Sequence, residues 1–209
     1  MSLAEQSKHQ SYHHGDLRNA LLIAAVELIE EHGSDQFSMV DAARCAGVSN
    51  AAPYRHFKDK DELLQAVTDL GFLGLTEQTA KVAREQGLGS IDTIIALGDT
   101  YVEYVTSRPQ FYELMWGNVS TGIDERNDVD LKSSGFYVLV EAVSAWGDVE
   151  QVTIEDPVQV ATYLWAMVHG LVSLTLHNHI ERFVPGANVR DMLRSTTETF
   201  LNGLRTPAG

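Results

Sequence analysis

Apolar residues recur at three- and four-residue spacing along most of this chain, and no stretch alternates Val or Ile with polar residues as a half-buried strand would. That periodicity restricts the chain to helices packed on helices. Leu17, Leu21, Ala24, Ala25 and Leu28 share one face of a first helix, with Asp16 as its cap and Gly33 as its stop. Ser38 with Asp41 three residues on resembles a capping box, opening a very short helix that ends before Gly47. A second short helix is expected from about Asn50 to Phe57. Asp59 with Glu62 caps a longer helix carrying Leu63, Val67 and Leu70 and running to about Gln86.

GLGS at 87–90 breaks the pattern, and a helix follows through Ile94, Leu97, Tyr101 and Tyr104. Pro109 suits the first turn of the next helix, and residues 120–130 read as a loop. Periodicity returns over Leu131–Trp146 and GDVEQVTIEDP reads as a connection. Residues 157–180 are apolar nearly all round, and Val189, Met192, Leu193, Thr196, Phe200 and Leu204 form a regular seam. The expected fold is all-α, with about nine helices. Residues 1–14 read as a flexible arm, 15–60 as a three-helix helix-turn-helix domain, and 61–209 as a larger helical domain. The boundary is expected inside the helix that starts near Asp59.

Composition narrows the function classes. No apolar run is expected to reach the roughly 18–20 uninterrupted residues of a membrane span, and the first residues carry no apolar signal-peptide core. A single cysteine, Cys45, excludes an intramolecular disulfide framework, and its place suggests a small buried hydrophobe. These features point to a cytoplasmic protein with no membrane association. The formal charge is −14, and residues 1–70 alone hold 6 Lys+Arg against 11 Asp+Glu. Bulk charge therefore cannot hold nucleic acid; a reader of DNA would depend on a few placed groups.

One pair of short helices can place them. Ala43 is small enough for a second helix to cross closely, Gly47 takes the positive φ of the turn, and Pro53 and Phe57 fall on the inward face. Ala51 and Arg55 then point outward, flanked by Ala52 and Tyr54. Short side chains allow close entry into the major groove; Asn50 can pair with adenine and Arg55 with guanine. Tyr54, His56 and Lys60 suit phosphates, and Ser38 and Ser49 sit at helix starts, whose N–H groups attract them. Pro53 loses no hydrogen bond if Asn50 caps the helix, and one bond if Ser49 does.

The run Leu22–Leu64 resembles the N-terminal domain of TetR/AcrR-type transcriptional regulators. The matching pieces are "ALLIAAVELIEEHG", "FSMVDAARCAGVS" and "YRHFKDKDELL". The resemblance implies phosphate contacts from Tyr54, His56 and Lys60. It implies base contacts from Asn50, Ala51 and Ala52, with help from Tyr54 and Arg55. Pro53 departs from the leucine most members carry. "YHHGDLRNALL" and "WAMVHG" also resemble a sub-branch named for Trp, His and Gly, here Trp165, His169 and Gly170.

The resemblance further implies a dimer that binds a palindromic operator, is released by a small-molecule effector, and usually represses. Among the aromatics of residues 91–180, Tyr112, Trp116 and Trp165 with His169 are the expected ligand contacts. Helices at about 157–180 and 189–204 are the expected homodimer interface, forming a four-helix bundle between subunits. No catalytic motif, cofactor motif or metal-ligand spacing appears, although His177 and His179 lie two apart, on different sides of a helix. The acidic residues Asp124, Glu125, Asp128 and Asp130 read as solvated. The alternatives are a helical small-molecule-binding protein that does not read DNA and, further off, a metal-dependent enzyme.

Overall fold

The computed structural model describes residues 14–116 and 134–205. Among them are nine α-helices and one 3-10 turn, with no strand, so the all-α class holds. The expected arm lies outside the described residues save His14, which already belongs to a helix. The acidic loop at 120–130 also lies outside them. The chain packs as two units. One holds residues up to Leu70 together with the segment from Glu113; the other begins at Gly71.

In the first unit, helix α1 (His14–His32) buries Leu21, Leu22, Ala24, Ala25 and Ile29 on one stripe. It starts two residues before Asp16, which therefore lies in its first turn rather than capping it. Gly33 ends it at φ 85°, donating its N–H to the Ile29 carbonyl at 2.7 Å. Helix α2 (Met39–Cys45) opens on a full capping box. The Asp41 N–H donates to Ser38 Oγ at 3.2 Å, and the Ser38 N–H donates to Asp41 Oδ2 at 2.9 Å. The Ser38 hydroxyl bond holds the Asp41 carboxyl below its usual range, helped by the Ser38 backbone bond.

Ser38→Ala should therefore cost about 1 kcal/mol in urea unfolding. The Asp41 contribution should be present above pH 3.8 and fade as pH falls through its lower folded value. An unchanged midpoint for Ser38→Ala would show that this cap does not stabilise the unit.

Gly47 at φ 69° turns the chain out of α2, and the Val48 N–H closes the turn on the Ala43 carbonyl at 2.9 Å. Cys45 is exposed rather than buried. It is two residues on from buried Ala43, about 200° round the helix. Its Sγ–H donates to Glu27 Oε2 at 3.5 Å. Desolvation and the Glu27 contact push the thiol upward, away from the reactive thiolate.

Helix α3 (Lys60–Gln86) begins where Asp59 accepts from the Glu62 N–H at 3.0 Å, while Glu62 accepts from the Lys58 N–H at 2.6 Å. In the second unit follow α4 (Ile91–Thr106), capped by Ser90, and the start of α5 (Pro109–Trp116). Then come α6 (Gly135–Glu150), α7 (Pro157–Leu176), α8 (His179–Phe183) and α9 (Val189–Arg205). Trp146, Ile94, Leu97, Ala142, Val143, Val160, Ala161, Leu164 and Leu201 make its core. Arg190 pairs with Glu103 at 3.2 Å and Arg194 with Asp92 at 3.0 Å, pinning α9 to α4 at the solvent edge.

Three expectations change here. Residues 157–176 hold no Asp, Glu, Lys or Arg, and their mean hydropathy of 1.2 makes α7 long and apolar enough, by length and composition, to cross a membrane. Its Val160, Ala161, Leu164, Val168 and Val172 are instead buried in the helical core. The same helix stops at Leu176 rather than running to 180. Asn178 takes φ 59°, and the turn stacks His177 on His179 with ring centroids 6.2 Å apart. On α9 the buried ridge is Leu193, Thr197 and Leu201, with Thr196 facing out.

Candidate nucleic-acid interface and ligand cluster

The stretch after α2 is not the regular helix expected over Asn50–Phe57. Only Pro53–Arg55 is helical, as a 3-10 turn whose N-cap is Ala52. Its bonds explain why. The Ser49 carbonyl accepts from the Ala52 N–H at 2.9 Å, because Pro53 has no N–H for the α-type bond. The Arg55 N–H then bonds the Ala52 carbonyl at 3.2 Å, and the His56 N–H bonds the Pro53 carbonyl at 2.9 Å.

This backbone sorts the expected site residues. Ser38, Ser49, Asn50, Ala51, Tyr54 and Arg55 are exposed, and His56 and Lys60 are half-buried. Ala52 corrects the expectation: it is 7% exposed, turned inward beside buried Pro53 and Phe57. A base-contact role for its methyl does not fit that orientation. Arg18 on α1 lies over the Phe57 ring at 5.1 Å, and Lys60 Nζ lies 4.6 Å from the Phe37 ring centroid. Arg18 thus covers the ring that anchors the turn, and Lys60 packs on the ring that precedes α2. Lys58, which the sequence pattern did not single out, adds a strongly exposed cation held only loosely by Asp59 at 3.9 Å.

In the second unit, three of the four expected ligand residues meet. The His169 ring lies 5.7 Å from Trp165 and 5.8 Å from Tyr112, and Tyr112 Oη is 3.4 Å from His169 Nε2. Trp116 belongs to the segment grouped with the first unit. Tyr101, one of the aromatics of residues 91–180 but not one of the four expected contacts, joins them, its hydroxyl 2.8 Å from His169 Nδ1. Periodicity placed Tyr101 on a buried face, but nothing in sequence links positions 68 apart. Burial raises the Tyr101 pKa far above its usual 10.0, and a Trp165 side-chain hydrogen bond lowers it only in part. An indole can only donate, so Tyr101 Oη accepts from Trp165 and its O–H can still pair with Nδ1, the proton's position on the ring following the imidazole tautomer. Burial also pushes the His169 pKa down, which favours the neutral imidazole.

A short helix followed by a turn and an exposed 3-10 segment, in a chain whose second unit is also helical, defines a helix-turn-helix protein of all-α build. Residues 21–67 match the tetR family of bacterial regulatory proteins, and residues 94–200 match the tetracyclin repressor-like C-terminal domain. The chain belongs to the tetR family.

A solved structure of a protein with unknown function from Rhodococcus sp. RHA1 is 30% identical, covers 95% of this chain and all of its own, and superposes with a TM-score of 0.80. The putative transcriptional regulator from Pseudomonas aeruginosa PAO1 shares the fold at 18% identity, with 98% and 97% of the two chains covered and a TM-score of 0.72. An uncharacterized HTH-type transcriptional regulator of Haemophilus influenzae is 32% identical over 100 residues. That match spans 47% of this chain and about half, 48%, of the relative.

Proposed function

We propose that this protein is a DNA-binding transcriptional regulator, a repressor in the usual mode of its family, working in the cytoplasm as a homodimer on a palindromic operator. The observation that carries this reading is the exposed row of Asn50, Ala51, Tyr54 and Arg55 on a turn held by buried Pro53 and Phe57. Asn50 and Arg55 can pair bidentately with adenine and guanine. Tyr54, His56, Lys60 and the N–H groups near Ser38 and Ser49 suit phosphates. With a net charge of −14, affinity must come from these placed groups and from two half-sites acting together.

The dimer surface is formed by the outer faces of α7 and α9. Ala166 and Thr199 are exposed there, and beyond Gly170 and Gly203 there is open space where a side chain would start. Uncharged, small residues let two such helices approach a copy of themselves. The motif Trp165, His169 and Gly170 supports membership of the Trp-His-Gly sub-branch.

The effector contacts are Tyr112, Trp165 and His169, joined by Tyr101. Because the cluster is neutral, it suits an uncharged aromatic molecule with a hydrogen-bonding oxygen rather than an ion. Effector binding would favour a conformer whose reading turns no longer match the operator spacing.

Selection from a random duplex library tests the reading. The protein should enrich an inverted repeat, and a panel of uncharged phenols and aromatic ketones should contain a compound that releases the enriched duplex from wild type but not from Tyr101→Phe. No enriched sequence would end the DNA-binding proposal. Enrichment without any release that depends on Tyr101 would end the effector assignment alone.

A further inference from the structure

We infer that Pro53 is a specificity-determining residue, which never touches DNA but sets which side chains can read it; this rests on the DNA-binding proposal above. The argument starts from one missing donor. Without an N–H at position 53, the Ser49 carbonyl is left to the Ala52 N–H at 2.9 Å, and the chain tightens into 3-10 geometry over Pro53–Arg55.

A 3-10 turn advances about 120° per residue against about 100° for an α-helix, so three steps from Ala52 to Arg55 differ by about 60° of azimuth. The consequence is visible in the burial pattern. Ala52 and Pro53 face inward as a pair, which divides the exposed side chains into Asn50–Ala51 on one side and Tyr54–Arg55 on the other. Continuous α-helix through this stretch would instead carry Ala52 toward the flank of the reading face and swing Arg55 relative to Asn50.

The ring of Pro53 also holds its own φ near −65° before any DNA arrives, and Phe57, 2% exposed, anchors the far end of the turn. The reading element is thus pre-set in one conformation, and its base preferences follow from that conformation.

The experiment compares wild type, Pro53→Ala and Pro53→Leu in random-duplex selection, followed by binding titrations at several salt concentrations. Pro53→Leu keeps apolar volume at the buried position. Both variants should enrich a half-site altered at the bases read by Asn50, Ala51 or Arg55. They should bind the wild-type sequence at least about tenfold more weakly, on the scale of one mismatched base pair. The salt slope should be unchanged, because the phosphate contacts remain.

If both variants enrich the wild-type sequence and bind it within twofold, the inference is overturned while the DNA-binding proposal stands. Loss of helical circular dichroism in both variants would overturn it too, because Pro53 would then act on folding. If wild type itself enriches nothing, the DNA-binding proposal fails and this inference with it.

Discussion

Trp146→Ala should destabilise the second unit by about 3–5 kcal/mol, the range for deleting a large buried aromatic, measured as the shift in a urea unfolding curve followed by circular dichroism. Trp146 is fully buried, at the centre of a core drawn from α4, α6, α7 and α9. No single neighbour can relax into the gap, because Ile94, Leu164 and Leu201 sit on three different helices. The Arg205 guanidinium lies 5.7 Å from the indole centroid and pairs with Glu150 at 2.8 Å, so truncation also removes part of what seats the end of α9.

Trp146→Phe separates packing from polarity. The indole Nε1–H has no hydrogen-bond partner among the described residues. A buried donor left unmade costs about 1–3 kcal/mol, so removing it offsets part of the lost volume. Phenylalanine should therefore cost much less than alanine. Equal losses for the two variants would mean that the indole N–H is satisfied in solution and that this account of the core is wrong.

Arg55→Ala should weaken binding to the enriched operator by roughly 30-fold or more. A bidentate arginine–guanine contact is worth about 1–3 kcal/mol, and a dimer makes it twice. Arg55 is exposed on the reading turn, and its backbone is fixed by the Ala52 carbonyl bond. The change should therefore leave the unfolding curve in place. Arg55→Lys keeps the charge but not the planar pair of donors. If lysine restores full affinity and the same base preference, Arg55 contacts phosphate rather than a base. If both variants instead relax preference at one position of the half-site, the base contact is located.

Much of the fold was legible because its signals are local. The Ser38–Asp41 box, the Asp59 cap, and the turns at Gly33 and Gly47 depend on groups within a few residues of one another, and each appears where the pattern put it. The errors are also local in origin but tertiary in outcome. Cys45 lies outside because α2 buries only the stripe of Met39, Ala42 and Ala43. No run of membrane-spanning length was expected, yet α7 holds 20 residues without Asp, Glu, Lys or Arg; the helix ends where Asn178 takes a left-handed turn.

The sequence by itself determined an all-α chain, the caps of α2 and α3, the turns at Gly33 and Gly47, and the helix-turn-helix that carries the family likeness, because caps and periodicity are short-range chemistry. Only the tertiary structure decided that Ala52 turns inward and that the reading element is a 3-10 turn, because burial of Pro53 and Phe57 chooses among the conformations proline allows. The structure alone also paired His169 with Tyr101. That contact joins α4 to α7 across 68 positions, and its energy depends on which faces of two packed helices meet, which no spacing along the chain encodes.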